Sequence, residues 1–341
     1  SGRLPFADAA SAATAAASSF MFIILNTIVL SYSAALIPLP YIQPVFRPPA
    51  EADSLILQVT TGCSWNKCSF CEMYQQPQQK YRMKPIEDVR SDIELAASLQ
   101  AAYGPIRRIF LADGDAMGLP TKRLTAILEA IQELLPQCKR VSSYCLPRNV
   151  RGKSVDDLRS LKSLGLRTMY VGCESGDDDV LRRIGKGETQ DSSVAELQKL
   201  HDAGLKTSVM ILHGLGGKHL SEQHVAGSAA LIRRAPPNYL STLVVSFPLE
   251  TSLERHAAGF EDVPSGGFEQ LSTPEVVAEQ RALIEAIGDD LSSNVIFRSD
   301  HASNYLPLKG TLPRDHAKLL ARLEEAEQGR VRLRPEWARG L

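Results

Sequence analysis

LILQVTTGCSWNKCSFCEMY, residues 55–74, is a short apolar run, a turn, and then three cysteines, Cys63, Cys68 and Cys71, within nine residues. Thiolates separated by four and then two residues can converge on one inorganic centre, because each short loop lets the backbone curl and point its sulfurs inward. The number three decides the chemistry. A structural zinc takes four protein ligands, and no second CxxC pair or HxxxH stands nearby to complete the set. A [4Fe–4S] cluster on three thiolates keeps one iron open for a small molecule. A zinc knuckle that borrows a distant histidine, and plain buried thiols, are the competing readings.

The stretch resembles the signature of the radical S-adenosylmethionine (SAM) superfamily, three cysteines just after the first strand of a partial α/β barrel, and in particular the branch of Elp3-type proteins and oxygen-independent coproporphyrinogen dehydrogenases. The commonest spacing there is three then two, whereas Ser64, Trp65, Asn66 and Lys67 put four residues in the first gap here. The resemblance implies a [4Fe–4S] cluster held by Cys63, Cys68 and Cys71, with SAM on the open iron and an external one-electron donor of flavodoxin or ferredoxin type. It also implies that Phe70 lies against cluster and adenine.

Composition sets the frame for this resemblance. The chain has 341 residues, 44% hydrophobic and 23% charged, and a formal charge of −1. That suits one large α/β barrel or two modest domains. It supplies no global attraction for nucleic acid or an anionic membrane, so a small-molecule substrate is favoured. Six cysteines, three of them scattered at Cys138, Cys145 and Cys173, are not a disulfide framework and fit a reducing compartment, cytoplasm or organelle matrix.

Residues 20–38, FMFIILNTIVLSYSAALIP, form a nearly continuous apolar run for which three readings are open: a targeting segment, a membrane anchor or a buried helix. Residues 1–46 are therefore set apart as an N-terminal extension. From there strand candidates at 55–60, 107–112, 140–145, 167–172, 206–212 and 241–247 alternate with helical periodicity. Examples of that periodicity are Ile86, Val89, Ile93 and Ala96 after Pro85, and Leu158, Leu161 and Leu164 behind the capping pair Ser154 and Asp157. Six β-then-α units imply a parallel sheet with right-handed crossovers. An open doubly wound sheet and a barrel read alike from this pattern, and the family resemblance selects a partial (β/α)6 TIM-like barrel over 47–250. A substrate or accessory region, rich in helix, follows at 251–341. No second cysteine cluster or cobalamin-binding stretch is evident, so one cluster and no corrinoid are expected.

In parallel α/β folds ligands sit at the carboxyl ends of strands. Three such ends carry candidates that the resemblance assigns to SAM. Gly114 and Asp115, in Ala112-Asp113-Gly114-Asp115, match loosely the Gly-Gly-acid stretch that takes the amino group of the methionine part. Glu174, in Gly172-Cys173-Glu174-Ser175-Gly176, matches a polar position that meets SAM, and Lys186 falls where relatives face the SAM carboxylate with a cation. Gly214 ends the fifth strand where a glycine packs beside adenine. Turn punctuation and a solvated lysine are the plainer readings of these residues. No catalytic side chain is assigned beyond the cluster ligands. Arg298 to Tyr305, dense in hydrogen-bonding side chains, reads as a substrate-binding element or a well-bonded structural loop. The expected function is reductive cleavage of SAM to a 5′-deoxyadenosyl radical for hydrogen abstraction. A catalytically silent iron–sulfur or zinc protein and a porphyrin-type oxidoreductase of the same superfamily are the alternatives.

Overall fold

A computed structural model describes residues 34–263 and 266–339. Most of the apolar run at 20–38 lies outside the described residues, and among those described no helix is long and apolar enough to cross a membrane.

The alternating pattern becomes one eight-stranded sheet and a small hairpin. The strands are β1 (Leu55–Gln58), β2 (Thr60–Thr61), β3 (Arg82–Met83), β4 (Arg108–Ala112), β5 (Arg140–Cys145), β6 (Leu166–Glu174), β7 (Lys206–His213), β8 (Tyr239–Val244), β9 (Val295–Arg298) and β10 (Lys309–Leu312). The large sheet runs β1-β4-β5-β6-β7-β8-β9-β10, while β2 and β3 pair only with each other. All neighbours from β1 to β9 are parallel, and β10 returns antiparallel to β9. This is the partial TIM-like barrel expected from the cysteine motif, extended by a seventh parallel strand and an antiparallel eighth. Helices such as Ile86–Tyr103, Thr121–Leu134, Gln190–Asp202, Ser221–Arg234 and Thr273–Ile287 separate the strands.

Side-chain alternation divides the strand residues between two environments. Leu55, Leu57, Ile109, Leu111, Val171, Val209, Ile211, Leu240 and Phe297 point toward the helices and form the main core with residues such as Ile93, Leu128 and Ile284. The opposite face carries a smaller cluster of Phe110, Tyr144 and Tyr170, meeting edge to face at centroid separations of 4.9, 6.0 and 6.5 Å. At the amino ends of the strands buried Glu51 takes Arg140 at 2.9 Å and the Tyr170 hydroxyl at 2.7 Å, which pairs its charge inside the fold.

The chain just before β1 packs on the barrel. Ile37 and Leu39 are buried in the main core, Tyr41 donates its hydroxyl to the Ile56 carbonyl at 2.8 Å, and Gln58 binds both backbone groups of Ile42.

Candidate functional site

The three cysteines sit at the carboxyl end of β1, where a parallel barrel collects its functional loops. β2 and β3 pinch the base of the segment that carries them. Gly62, at φ +65°, makes the turn into it; a Cβ there would stand 1.9 Å from the Gln79 carbonyl oxygen, so glycine is required. All three thiols are free and half-buried. Burial pushes each above its ordinary pKa, Cys71 up to about 12, and the three lie within electrostatic reach of one another. Among the described residues no three His, Cys, Asp or Glu side chains converge as they would around a single ion. A cube does not ask for that, since each thiolate takes a different iron. Three free thiols in one loop, each within electrostatic reach of the others, are the donor set that a three-thiolate cluster takes.

Neighbouring elements hold this loop on several sides. Ser64 donates both its amide, at 3.0 Å, and its hydroxyl to Asp115. The Trp65 indole donates to the Gly185 carbonyl at 2.7 Å. Asn66, at φ +41°, donates its amide to the Tyr74 carbonyl at 2.9 Å. Arg255 donates to the carbonyls of Ser69 and Cys71 at 3.0 and 3.3 Å. His256, buried among Phe247, Phe260 and Phe268, lies 3.1 Å from the Leu215 carbonyl through Nε2 and 2.8 Å from the Ser69 hydroxyl through Nδ1. A carbonyl can only accept, so Nε2 carries the proton and Nδ1 accepts from Ser69. Burial holds this imidazole neutral, its pKa down to about 4.

The residues singled out in the sequence fall as follows. Phe70 packs against Val180, Leu181, Ile184 and Phe260, a satellite apolar cluster that seats the cysteine loop. Gly114 is pressed against the same loop: a Cβ there would lie 2.8 Å from the Gly62 carbonyl oxygen and 2.9 Å from Cys63 Cβ. Asp115 is buried, and its carboxylate, raised in pKa by burial, is engaged with Ser64 and with Asn149 at 3.3 Å. It grips the cysteine segment. Its neighbour Asp113, also buried, accepts from Tyr74 at 2.8 Å and Gln58 at 3.2 Å, with burial pushing its pKa up to about 6.

Glu174 and Lys186, twelve residues apart, meet as a buried ion pair at 3.0 Å. Lys186 is therefore not a solvated loop lysine. Burial opposes its charge, but the Glu174 carboxylate more than offsets this, and Cys68 adds to it, so its pKa lies above the ordinary lysine value. Glu174 takes φ +68° at a register shift between Gly172 and Glu174, a costly conformation for a residue with a side chain, of the kind that gathers at functional sites. A Cβ on Gly172 would lie 2.2 Å from Glu174 Oε1, so glycine there makes room for the pair. Behind the bend, Ser175 bonds to buried His224 at 2.8 Å, and the Gly176 amide donates to Ser228 at 3.0 Å.

Gly214, at φ +80°, donates its amide to buried Glu279 at 2.7 Å. It borders a cavity of about 300 Å³ whose walls include Val245, Phe247, Tyr305 and Arg339. The 298–305 segment is a well-bonded loop: Arg334 donates to the carbonyls of His301, Ala302 and Asn304, and Arg339 to that of Ser303. The supports that sequence reasoning missed are Trp65, Arg255, His256 and Asp113. The four-residue first gap was a signal for Trp65, whereas the contacts of Arg255 and His256 with Ser69 span more than 180 residues and leave no local trace.

Comparison with known proteins gives this geometry a family. The profile of the Radical SAM superfamily matches residues 57–229, just over half of the chain. The heme chaperone HemW of Bacillus subtilis is 21% identical over 184 residues, 52% of this chain and 47% of that protein. The 4′-phospho-dehydrooxetanocin synthase of Priestia megaterium is 22% identical over 169 residues, 46% of this chain and 23% of that one. The chain thus spans about half the length, or less, of these curated relatives. The structure of coproporphyrinogen III oxidase (HemN) from Escherichia coli, a radical SAM enzyme, superposes with a TM-score of 0.51 at 16% identity, covering 69% of this chain and 52% of that one, a likeness of fold. Barrel, cysteine loop and family match agree: the chain belongs to the radical SAM superfamily.

Proposed function

We propose that this chain is an enzyme that reductively cleaves SAM and uses the resulting 5′-deoxyadenosyl radical to abstract hydrogen from a small-molecule substrate. The observation that carries the reading is the placement of three free, half-buried thiols beside a buried Glu174–Lys186 pair at one end of a parallel barrel. A cluster held by Cys63, Cys68 and Cys71 would supply the one electron that cleavage of the sulfonium carbon–sulfur bond of SAM to methionine and the radical requires.

The chain's own residues then have distinct tasks. Cys63, Cys68 and Cys71 hold the cluster as thiolates. Lys186 faces the carboxylate of SAM and Glu174 meets its polar end, two charges pre-positioned in a low-dielectric site where they act strongly. Asp115 fixes the cysteine loop through Ser64, and Gly114 lets the two backbones approach. Phe70 and Gly214 present an aromatic face and an unhindered backbone toward the adenine side. Burial in the barrel keeps water from a radical.

Residues 47–250 are the catalytic core in this reading, and 251–341 shape the substrate side, where Tyr305 and Arg339 wall the cavity beside Gly214. The electron comes from an external flavodoxin- or ferredoxin-type donor, and the unpaired cysteines suit a reducing compartment. The test is anaerobic reconstitution with iron and sulfide, followed by dithionite and SAM. Formation of 5′-deoxyadenosine is expected. A chain that binds zinc and no iron, or holds iron and leaves SAM intact, refutes the proposal.

A further inference from the structure

We propose that Trp65, in the four-residue gap between Cys63 and Cys68, is a positioning residue that clamps the cysteine loop to the Gly185–Glu188 loop and so sets the distance between the thiolates and Lys186. The inference rests on the cofactor roles proposed above and adds to them the element that joins the two halves of the SAM site.

Several contacts converge on this indole. Its N–H donates to the Gly185 carbonyl, 120 residues away, at 2.7 Å. The Arg148 guanidinium stacks 3.6 Å above the ring centroid. The same Arg148 donates to the carbonyls of Lys186, at 3.1 Å, and Gly187, and pairs at 2.8 Å with Glu188, whose side chain is buried. Trp65 and the Lys186 segment thus share one cation, which both stacks and hydrogen bonds.

The glycines of that segment are fitted to the cysteine loop. A Cβ on Gly187 would lie 2.4 Å from Trp65 Cζ2, and one on Gly185 would lie 2.8 Å from the Lys67 carbonyl oxygen. Both glycines take left-handed backbone, at φ +68° and +65°. A second strut runs alongside, from the Ser69 amide to the Ile184 carbonyl at 2.9 Å. Lys186, between the two glycines, has little freedom to move independently of Cys68. SAM spans from cluster to Lys186, so an error in that separation falls on SAM affinity, whereas iron binding rests on the thiols and the fold of their own loop.

The experiment uses the full chain, reconstituted anaerobically, with Trp65→Phe as the main variant. Phenylalanine keeps a ring under Arg148 and removes the N–H donor. Iron and sulfide content, equilibrium binding of labelled SAM, and the SAM-induced change in the EPR spectrum of the reduced cluster are measured. Trp65→Phe is expected to hold wild-type iron, to bind SAM about five- to tenfold more weakly, the worth of one hydrogen bond, and to show a smaller EPR change. In a Lys186→Met background the same substitution is expected to cost SAM binding almost nothing more, because the partner it positions is gone. Unchanged SAM binding, loss of the cluster itself, or full additivity with Lys186→Met overturns the clamp. Wild-type chain that holds iron yet binds no SAM removes the cofactor reading itself, an outcome separate from any behaviour of Trp65→Phe.

Discussion

Lys186→Met removes one member of a buried pair and leaves the other in place. The ammonium and the Glu174 carboxylate stand 3.0 Å apart, with side chains 3% and 12% exposed. At an effective dielectric of about 20 their attraction is about 5–6 kcal/mol, most of it offset in the intact pair by the cost of taking two charges from water. Methionine fills similar volume but strands the carboxylate, so the expected loss of stability is about 3–5 kcal/mol. In a chain of this size that lowers the melting midpoint by roughly 4–7 °C. SAM affinity falls in addition by roughly 10- to 100-fold, the value of a charge-assisted hydrogen bond. The assay is thermal unfolding of the cluster-free chain and SAM binding by the reconstituted one, for Lys186→Met, Glu174→Gln and the double variant. Removing both charges should restore much of the stability lost in Lys186→Met, since no unpaired charge remains. A single variant that melts with the wild type, or a double variant whose loss equals the sum of the singles, would refute a coupled buried pair.

Replacing Cys63, Cys68 or Cys71 by alanine is expected to abolish the visible absorbance of a reconstituted cluster, whereas Cys138→Ala keeps it. Retention in any of the first three exposes a misassigned ligand. Gly114→Ala pushes a methyl group into the Gly62 carbonyl and Cys63 Cβ, at 2.8 and 2.9 Å. Overpacking of about 1–3 kcal/mol and reduced iron incorporation should follow, visible by denaturant titration and iron analysis. His256, held near pKa 4 in the fold, regains an ordinary value near 6.5 when unfolded, so the unfolded chain binds more protons between those values. Its contribution is present above about pH 6.5 and is lost as pH falls toward 4, by about 3 kcal/mol. Asp113, raised to about 6 by burial, acts in the opposite sense: its stabilisation is present below about pH 4 and lost as pH rises through 6. Denaturant titrations across pH 4–8 should therefore show wild type gaining stability relative to His256→Phe as pH rises from 4 to about 6.5, and parallel curves would contradict the buried neutral imidazole.

The cysteine loop was legible because its chemistry is local. Three thiols within nine residues need no tertiary partner to be recognised, and branched runs punctuated by Gly and Pro announce strands wherever they occur. β5 begins and ends where alternation places it, and Ser154 caps its helix as the local pair with Asp157 requires. β10 was missed for the converse reason. Lys309-Gly310-Thr311-Leu312 is short, glycine-bearing and mostly polar, and becomes a strand only by pairing with β9.

By itself, then, the sequence determined the succession of β/α units, the thiol triad and the candidate strand ends, since periodicity and short spacings are written in neighbouring residues, while the barrel rather than an open sheet followed from the resemblance of the cysteine motif to a known family. Only the tertiary structure decided that Lys186 is paired rather than solvated, that Asp115 grips the cysteine segment, that Trp65 ties this segment to Gly185, 120 residues on, and that His256 reaches Ser69 from 187 residues away. Those contacts depend on the barrel curving its strands around one mouth, and no local pattern records which distant loops that curvature brings side by side.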